Sequence, residues 1–564
     1  RVDGDTVTYD PLQHLLEVFA DVKSTKTEKV DRSGQSVQER LHHRIIDGDR
    51  DGLTADLDEA LAAGIPALDI VNEVLLGGMK VVGELFGSGQ MQLPFVLQSA
   101  ETMKTAVAHL EPHMEKAGSG GKGRVVLGTV KGDVHDIGKN LVDIILTNNG
   151  YEVKNLGIKV PISEFVEAVD AFGADAIGMS GLLVKSTLIM RENLDELNSR
   201  GLQDIPVLLG GAALTRSYVE RDLREVYKGR VFYGKDAFEG LRTMETLMEG
   251  KRSGHLDPDF GRAPGGRVLP PRKSQRETTE VDPAQIPSRS AVAVDNPVFK
   301  PPFLGTRVAK GIPLDDIAAY LNETALFRNQ WQFRPEARAD GSMESDDEFK
   351  ARIRPVLRAE LAKAKEGGSL VPAVAWGYFP VNADGNDLIV WTDDDRADER
   401  MRFSFPRQRK EPWQSIADFF RPASTGEADY AAFHVVTMSD VASAHSAELF
   451  AANKYQDYLY FHGLSVEMAE ALAEYWHRRI REEWGFAEED GPTLTGLFKQ
   501  QYRGSRYSWG YPACPDLDDQ VKVADLLEID RIGVTVSEGF QLHPEQSTSA
   551  IIVHHPEAKY FILG

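Results

Sequence analysis

Five short apolar runs alternate with amphipathic helical patterns between residues 118 and 250, and this alternation restricts the fold more than any other feature. The apolar runs lie at 124–130, 152–156, 175–180, 206–210 and 231–233, and the helical patterns at 138–148, 162–172, 187–199, 215–227 and 236–249. Units of this length predict a doubly wound, flavodoxin-like parallel sheet, because helical crossovers join parallel strands. Ligands of such sheets bind at the carboxyl ends of the strands, so function is expected in those loops.

The segments around this sheet have different patterns, which predict a multidomain chain. Before it, apolar residues recur at helical spacing, for example Leu12, Leu15, Leu16 and Phe19, and predict an antiparallel α-helical bundle. After it comes a stretch rich in proline, which predicts a semi-stiff linker, and then a mixed α+β block. The predicted domain bounds are 1–117 for the helical bundle, 118–253 for the sheet domain, 254–302 for the linker and 303–564 for the α+β domain.

Composition excludes several classes of function. The chain has 64 Lys and Arg against 87 Asp and Glu, a net charge of −23, which argues against nucleic acid as a partner. Its one cysteine, Cys514, excludes an internal disulfide and a thiolate-clustered zinc site. No apolar run reaches the ~18 residues of a membrane helix, so we expect a cytoplasmic protein without a membrane partner. Because the first residue is Arg1, we expect the sequence to be part of a longer protein.

The loop after the first apolar run carries a candidate metal ligand. It reads GDVHDIG from Gly132 to Gly138, and its Asp133 and His135 are two positions apart. A carboxylate that accepts one imidazole N–H fixes the tautomer and leaves the other nitrogen free for a metal. Alternatively, Asp136 caps the following helix and His135 is a solvated loop residue. The segment alone leaves both interpretations open.

Two further motifs stand at later strand ends: Ser180-Gly181-Leu182 and the pair Gly210-Gly211. The set DxHxxG, SxL and GG resembles the cobalamin-binding domain of corrinoid methyltransferases and mutases. The resemblance implies that the loop histidine is the lower ligand of cobalt and that the nucleotide tail of cobalamin enters a slot beside the serine and the glycines. The implied cofactor-binding residues are Gly132, Asp133, Val134, His135 (the cobalt ligand), Asp136, Gly138, Ser180, Leu182, Val184, Ser186, Gly210, Gly211 and Ala237. Val184 departs from the hydroxyl residue that is common in the family.

The segment FGSGQMQLPFVL, which begins at Phe86, resembles the cap of the cobalamin-dependent methionine synthase family. The resemblance implies that Phe86, Leu93 and Val96 cover the upper face of the cofactor. The alternative is that these three residues are ordinary core of the bundle.

The segment RYSWGYPACP, residues 506–515, is similar to the RxxxGYPACP signature of the activation domain of the same family, which binds S-adenosylmethionine. Arg506 can form a forked pair with the ligand's carboxylate, and Glu470 can lie near its cationic groups. The implied S-adenosylmethionine-binding residues are Asn322, Glu470, Arg506, Ser508, Tyr511, Tyr560 and Phe561, and the implied catalytic residues are His135, Asp133 and Tyr511. Asn322 stands where the family often has aspartate.

The resemblance covers nearly the whole chain and implies a cobalamin-dependent methyltransferase. It implies that the chain binds and caps methylcobalamin and reductively remethylates inactive cob(II)alamin with S-adenosylmethionine, using a flavodoxin-like or other one-electron donor. The homocysteine and folate modules of the family are not recognisable here, and zinc is expected only in the homocysteine module. The cap is expected to move aside before the last domain reaches the cofactor, with His135 released toward that domain near Tyr511. A corrinoid carrier protein or a cobalamin-dependent sensor is the alternative.

Overall fold

The structure is a computed structural model that describes residues 2–3, 6–7, 32, 34–113, 121–262, 286–338 and 341–563. It confirms the predicted fold class. We call residues 34–113 the helical bundle, residues 121–262 the sheet domain, and residues 286–338 with 341–563 the third domain. A two-stranded pair, Val2–Asp3 with Thr6–Val7, precedes them, and the helix expected around Leu12 to Phe19 lies outside the described residues.

The helical bundle is built from helices that bury one apolar face each. Its longer helices are Val37–Asp47, Leu53–Ala62, Leu76–Gly87 and Leu93–Leu110. The short helix Ala67–Asp69 and the π-helical turn Ile70–Leu75 lead directly into Leu76–Gly87, and the 3-10 turn Glu111–His113 follows Leu93–Leu110. The first begins at Ser36, whose hydroxyl accepts a bond from the Glu39 N–H while the Glu39 carboxylate bonds back, a capping box. Leu41, Ile45 and Leu57 are fully buried, as their helical spacing predicts.

The sheet domain has five parallel strands whose order places the first strand inside the sheet. In spatial order the strands are Glu152–Asn155, Arg124–Thr129, Ala176–Ser180, Val207–Gly210 and Val231–Gly234. The helices are Ile137–Asn148, Ile162–Phe172, Val184–Ser199, the π-helical Tyr218–Leu223 with Arg224–Val226, and Ala237–Ser253. This is the flavodoxin-like order, and the chain reverses direction across the sheet between the first and third strands. A crevice for ligands is expected at that reversal.

The third domain is a seven-stranded antiparallel sheet with helices. Six strands follow one another as Glu399–Ser404, Asp387–Trp391, Ala373–Asp384, Asp429–Thr437, Ser547–Val553 and Ser505–Tyr507, and Gly305–Lys310 also pairs with Ala373–Asp384. Its helices are Leu314–Ala318, the π-helical Ala325–Gln330, Asp346–Gly367, Ser439–Ala451, Tyr455–Trp484, Leu494–Phe498 and Gln520–Leu527. Short 3-10 turns are Ile416–Phe419, Ala423–Thr425, Ala487–Glu489 and Ile529–Ile532, and a small hairpin joins Thr535–Val536 to Leu542–His543.

The segment predicted as a linker, 254–302, is packed at both ends. Phe260 lies against Phe232, with ring centroids 4.7 Å apart. At the other end, the Ser290 N–H donates to Asp418, and the indole N–H of Trp484 donates to the Phe299 carbonyl at 2.8 Å. Residues 286–302 of the predicted linker therefore make specific contacts with the third domain, and the linker bounds stay a prediction.

One long helix holds the three domains together. Helix Tyr455–Trp484 contacts both Leu93–Leu110 of the bundle and Ile137–Asn148 of the sheet domain. Its Leu459 is fully buried in the core that the bundle shares with one face of the sheet. Within the described part of the chain, no helix combines the length and apolar character needed to cross a membrane.

Candidate functional site

The buried carboxylate of Asp133 organises the end of the sheet where the first and third strands finish. Asp133 is 0% exposed. Its Oδ1 accepts bonds from the His135 ring Nδ1 at 2.8 Å and from the His135 backbone N–H at 3.0 Å. Its Oδ2 accepts bonds from the Leu182 backbone N–H at 2.7 Å and the Ser186 hydroxyl at 2.5 Å. The carboxylate thus joins the loop of residues 131–136, which we call the histidine loop, to the loop after the third strand.

The same contacts favour the charged forms of both Asp133 and His135. Burial by itself would raise the pKa of Asp133, but bonds from His135 and Ser186 hold that pKa below its ordinary value. Burial would lower the pKa of His135, but the bond to Asp133 and the negative charge of Glu545 raise it. Since Asp133 engages Nδ1, the Nε2 nitrogen of His135 is left for another partner.

His135 lies at a cavity of about 460 Å³ between the helical bundle and the sheet domain. Of the residues predicted to bind the cofactor, those that line it are Phe86, Leu93, His135, Gly138, Ser180, Leu182, Gly210, Gly211 and Ala237. Lining residues that were not predicted include Val125, Leu127, Gly178, Leu208, Phe238 and Gln332. The strand residues among them lie in predicted strands, so the sheet pattern could have indicated them. No local signal marks Gln332, which comes from the third domain.

Glycines line the slot between the first, third and fourth strands, and two of them lie where neighbouring atoms leave no room for a side chain. Gly211 has a φ of +146°, and a Cβ added to it would lie 1.7 Å from the Gly181 carbonyl oxygen. A Cβ on Gly178 would lie 2.6 Å from the Leu127 side chain. Any larger residue at Gly211 would therefore disturb the backbone at the slot.

The remaining predicted cofactor residues do not line the cavity. Val96 is fully buried in the bundle, and Val184 is exposed. Ser186 bonds to Asp133, so its hydroxyl positions the histidine pair. Asp136 stands before helix Ile137–Asn148 without a side-chain cap, and its Oδ2 accepts a bond from the Asn140 amide instead. The interpretation of Asp136 as a simple helix cap is therefore wrong.

Residues of the third domain cover the backbone of the histidine loop. The Ser537 hydroxyl donates to the Gly132 carbonyl at 3.2 Å, and the Val134 N–H donates to the Gln541 side-chain oxygen at 3.0 Å. Gly132 and Gly539 meet so closely that a Cβ on Gly539 would lie 2.4 Å from the Gly132 oxygen. We call residues 537–545 the docking loop. The docking loop, and not Tyr511, makes these bonds to the histidine loop, and the expectation that released His135 lies near Tyr511 stays a prediction.

The second predicted site surrounds Arg506 on strand Ser505–Tyr507. Its guanidinium Nη2 lies 3.3 Å from a carboxylate oxygen of Glu474 and 3.9 Å from one of Glu470. The negative charge of Glu470 is the largest cause that raises the pKa of Tyr511 to about 12. Glu474 was missed by sequence reasoning, although it follows Glu470 by one helical turn and shares its face.

The other predicted members of this site have different surroundings. The Asn322 side-chain oxygen accepts a bond from the Ala325 N–H at 3.2 Å. Tyr560 is exposed, and Ser508 is half-buried. Phe561 is only 7% exposed and its ring packs in the core with Phe419 and Tyr507. The Phe561 ring therefore points into the core, and the assignment of Phe561 to the ligand site stays a prediction.

Comparisons with known proteins assign each domain. Residues 37–111 and 123–242 match two family models that are both described as a B12 binding domain. Residues 313–564 match the family described as vitamin B12 dependent methionine synthase, activation domain.

Curated relatives include the methionine synthase of Mycobacterium tuberculosis, 52% identical, and that of Mycobacterium leprae, 49% identical. Each alignment covers 98% of this chain and 48% of the relative, so the chain spans about half the length of these proteins. Among solved structures, the MetH reactivation domain bound to AdoHcy is 25% identical, with a TM-score of 0.43, covering 48% of this chain and 84% of that one.

The Asp133–His135 pair gives a test in the ligand-free chain. Because the folded-state pKa of His135 is raised, the pair stabilises the fold below the ordinary histidine pKa, and that contribution is lost as pH rises through the raised value. We expect Asp133→Asn to lower the pKa of His135 in an NMR titration of its ring, and Ser186→Ala to lower it less. An unchanged pKa in Asp133→Asn would show that the carboxylate does not control the imidazole.

Proposed function

The chain is a member of the cobalamin-dependent methionine synthase family over the three domains that it carries, and from that premise we propose that it holds methylcobalamin and restores it with S-adenosylmethionine. We propose a cofactor site between the helical bundle and the sheet domain, within the bounds 1–117 and 118–253. The third domain, with residues 303–564 and the packed segment 286–302, would bind S-adenosylmethionine. The observation that carries the proposal is His135, fixed by buried Asp133 at the mouth of a glycine-lined slot.

The residues present fit cobalamin. His135 offers one ring nitrogen while its other nitrogen is held by Asp133, which is the arrangement that metal-binding histidines need. Gly210 and Gly211 leave the slot open for the nucleotide tail. Bound cobalamin would supply a cobalt centre that accepts and donates a methyl group. Phe86 and Leu93 line the same cavity and would exclude water from it.

In the third domain, we infer that Arg506 binds the carboxylate of S-adenosylmethionine. A guanidinium can form two parallel bonds to a carboxylate, and its present partner Glu474 lies at 3.3 Å, so a ligand can compete for it. The exposed carboxylate of Glu470 can attract the ligand's cationic groups. Since the pKa of Tyr511 is about 12, its hydroxyl keeps its proton at neutral pH and can act as a donor.

The whole reaction of the family belongs to the proposal as well. We propose that the chain serves a 5-methyltetrahydrofolate–homocysteine methyltransferase, together with homocysteine and folate modules that it does not itself contain. A flavodoxin-like electron donor and a cytoplasmic location stay predictions. The alternative of a corrinoid carrier or sensor is disfavoured, because such a protein has no use for the activation domain that residues 313–564 match.

The role of His135 can be tested by the visible spectrum of the chain loaded with methylcobalamin. We expect His135→Gly to bind the cofactor but to show the spectrum of the base-off form, because the lower ligand is removed. The control is His445→Gln, which changes a half-buried histidine on helix Ser439–Ala451 whose ring packs against Phe461. If the His135→Gly spectrum matches that of the unchanged chain, His135 is not the lower ligand.

The role of Arg506 can be tested by calorimetry with S-adenosylmethionine on the full chain. Removing a charge-assisted forked bond costs about 1.5–3 kcal/mol, so Arg506→Ala should bind roughly 10- to 150-fold more weakly. Arg531→Ala is the control, because Arg531 pairs with Glu528 on the surface. Equal affinity in the Arg506 variant would rule out the assignment.

A further inference from the structure

Metal-binding side chains from two domains meet beside the histidine loop. Asp136 lies at the start of helix Ile137–Asn148 in the sheet domain, His462 lies in helix Tyr455–Trp484, and Glu545 ends the docking loop. One ligand atom from each of the three lies within 4.8 Å of the others. The group therefore spans the boundary between the sheet domain and the third domain.

The side chains of His462 and Glu545 are largely buried, and two of the three members of the group are carboxylates. The side chain of His462 is 3% exposed and that of Glu545 is 14% exposed. The His462 Nε2 lies 3.7 Å from a Glu545 oxygen, which is too far for a hydrogen bond. Among the described residues, no Lys or Arg forms an ion pair with Asp136 or Glu545. A nearby positive charge is that of His135, whose charged form Glu545 and Asp136 favour, and burial raises the pKa of Glu545.

The surrounding residues orient the group. The Asn140 amide donates to the Asp136 Oδ2 at 2.9 Å and to the Tyr458 hydroxyl at 2.9 Å. The Tyr458 ring lies 5.7 Å from the His462 ring. Partners of this kind fix metal ligands in place.

We propose that Asp136, His462 and Glu545 hold a divalent metal ion of the zinc class that fastens the third domain to the sheet domain. One imidazole nitrogen and two carboxylate oxygens are a ligand set that Zn²⁺ accepts at about 2.0–2.2 Å, which small side-chain rotations would reach. The three proposed ligands include neither His135 nor Arg506, although Asp136 directly follows His135 in the sequence. Because its ligands meet only when the two domains are docked, the ion would favour that arrangement over all others.

The test uses the full chain without cobalamin or S-adenosylmethionine, after treatment with a chelator. Zn²⁺ alone is added in competition with a chromophoric chelator, and bound zinc is counted by elemental analysis. We expect one zinc per chain and a higher Tm. Asp136→Asn, His462→Gln and Glu545→Gln should each weaken binding by about tenfold or more, since each removes one ligand.

The control is His445→Gln, whose ring is 3.6 Å from Glu448 in a pair that the proposal does not use. Similar losses from Asp136→Asn in one domain and Glu545→Gln in the other would support a shared ion. Circular dichroism of each variant separates a lost ligand from a lost fold, and Asp136→Asn keeps the size of a partly exposed side chain. Absence of stoichiometric zinc in the unchanged chain, or full affinity in the folded Glu545→Gln variant, would overturn the proposal.

Discussion

A buried carboxylate that must be fully bonded is the constraint on which the site depends. Asp133 is closed off from water, so its two oxygens need the four donors that His135, Leu182 and Ser186 supply. These donors come from the loops after two different strands and from helix Val184–Ser199, so the direction of the imidazole depends on how those segments pack together. A change in the sheet at this edge would also change where His135 points.

The third domain contacts the same histidine loop. Ser537 and Gln541 bond to the backbone of the histidine loop, and Gly132 and Gly539 let the two chains approach without side chains between them. Backbone contacts recognise the shape of the loop and leave the His135 ring free for its own partners. Domain docking and the proposed cofactor site thus share one short segment.

The sequence predicted what short-range patterns determine. Alternating apolar runs gave the parallel sheet, and two-residue spacing suggested that Asp133 and His135 meet. It failed where contacts are distant along the chain: nothing near Gln332, Glu474 or the docking loop marks their neighbours. Strand Glu399–Ser404 is rich in charged residues, so it carries no apolar pattern that would mark it in the sequence. Proline content alone could not reveal that residues 286–302 are packed.

The central claim is that the third domain delivers a methyl group to a cofactor held at the histidine loop. In the direct test, the full chain is loaded with cob(II)alamin. A chemical one-electron reductant and S-adenosylmethionine labelled in its methyl group are then added, and the amount of label in methylcobalamin is measured. The account predicts labelled methylcobalamin from the unchanged chain and little from Gly539→Val, whose Cβ would meet the Gly132 oxygen at 2.4 Å and prevent docking. Equal labelling by the two chains, or no labelling by the unchanged chain, would contradict it.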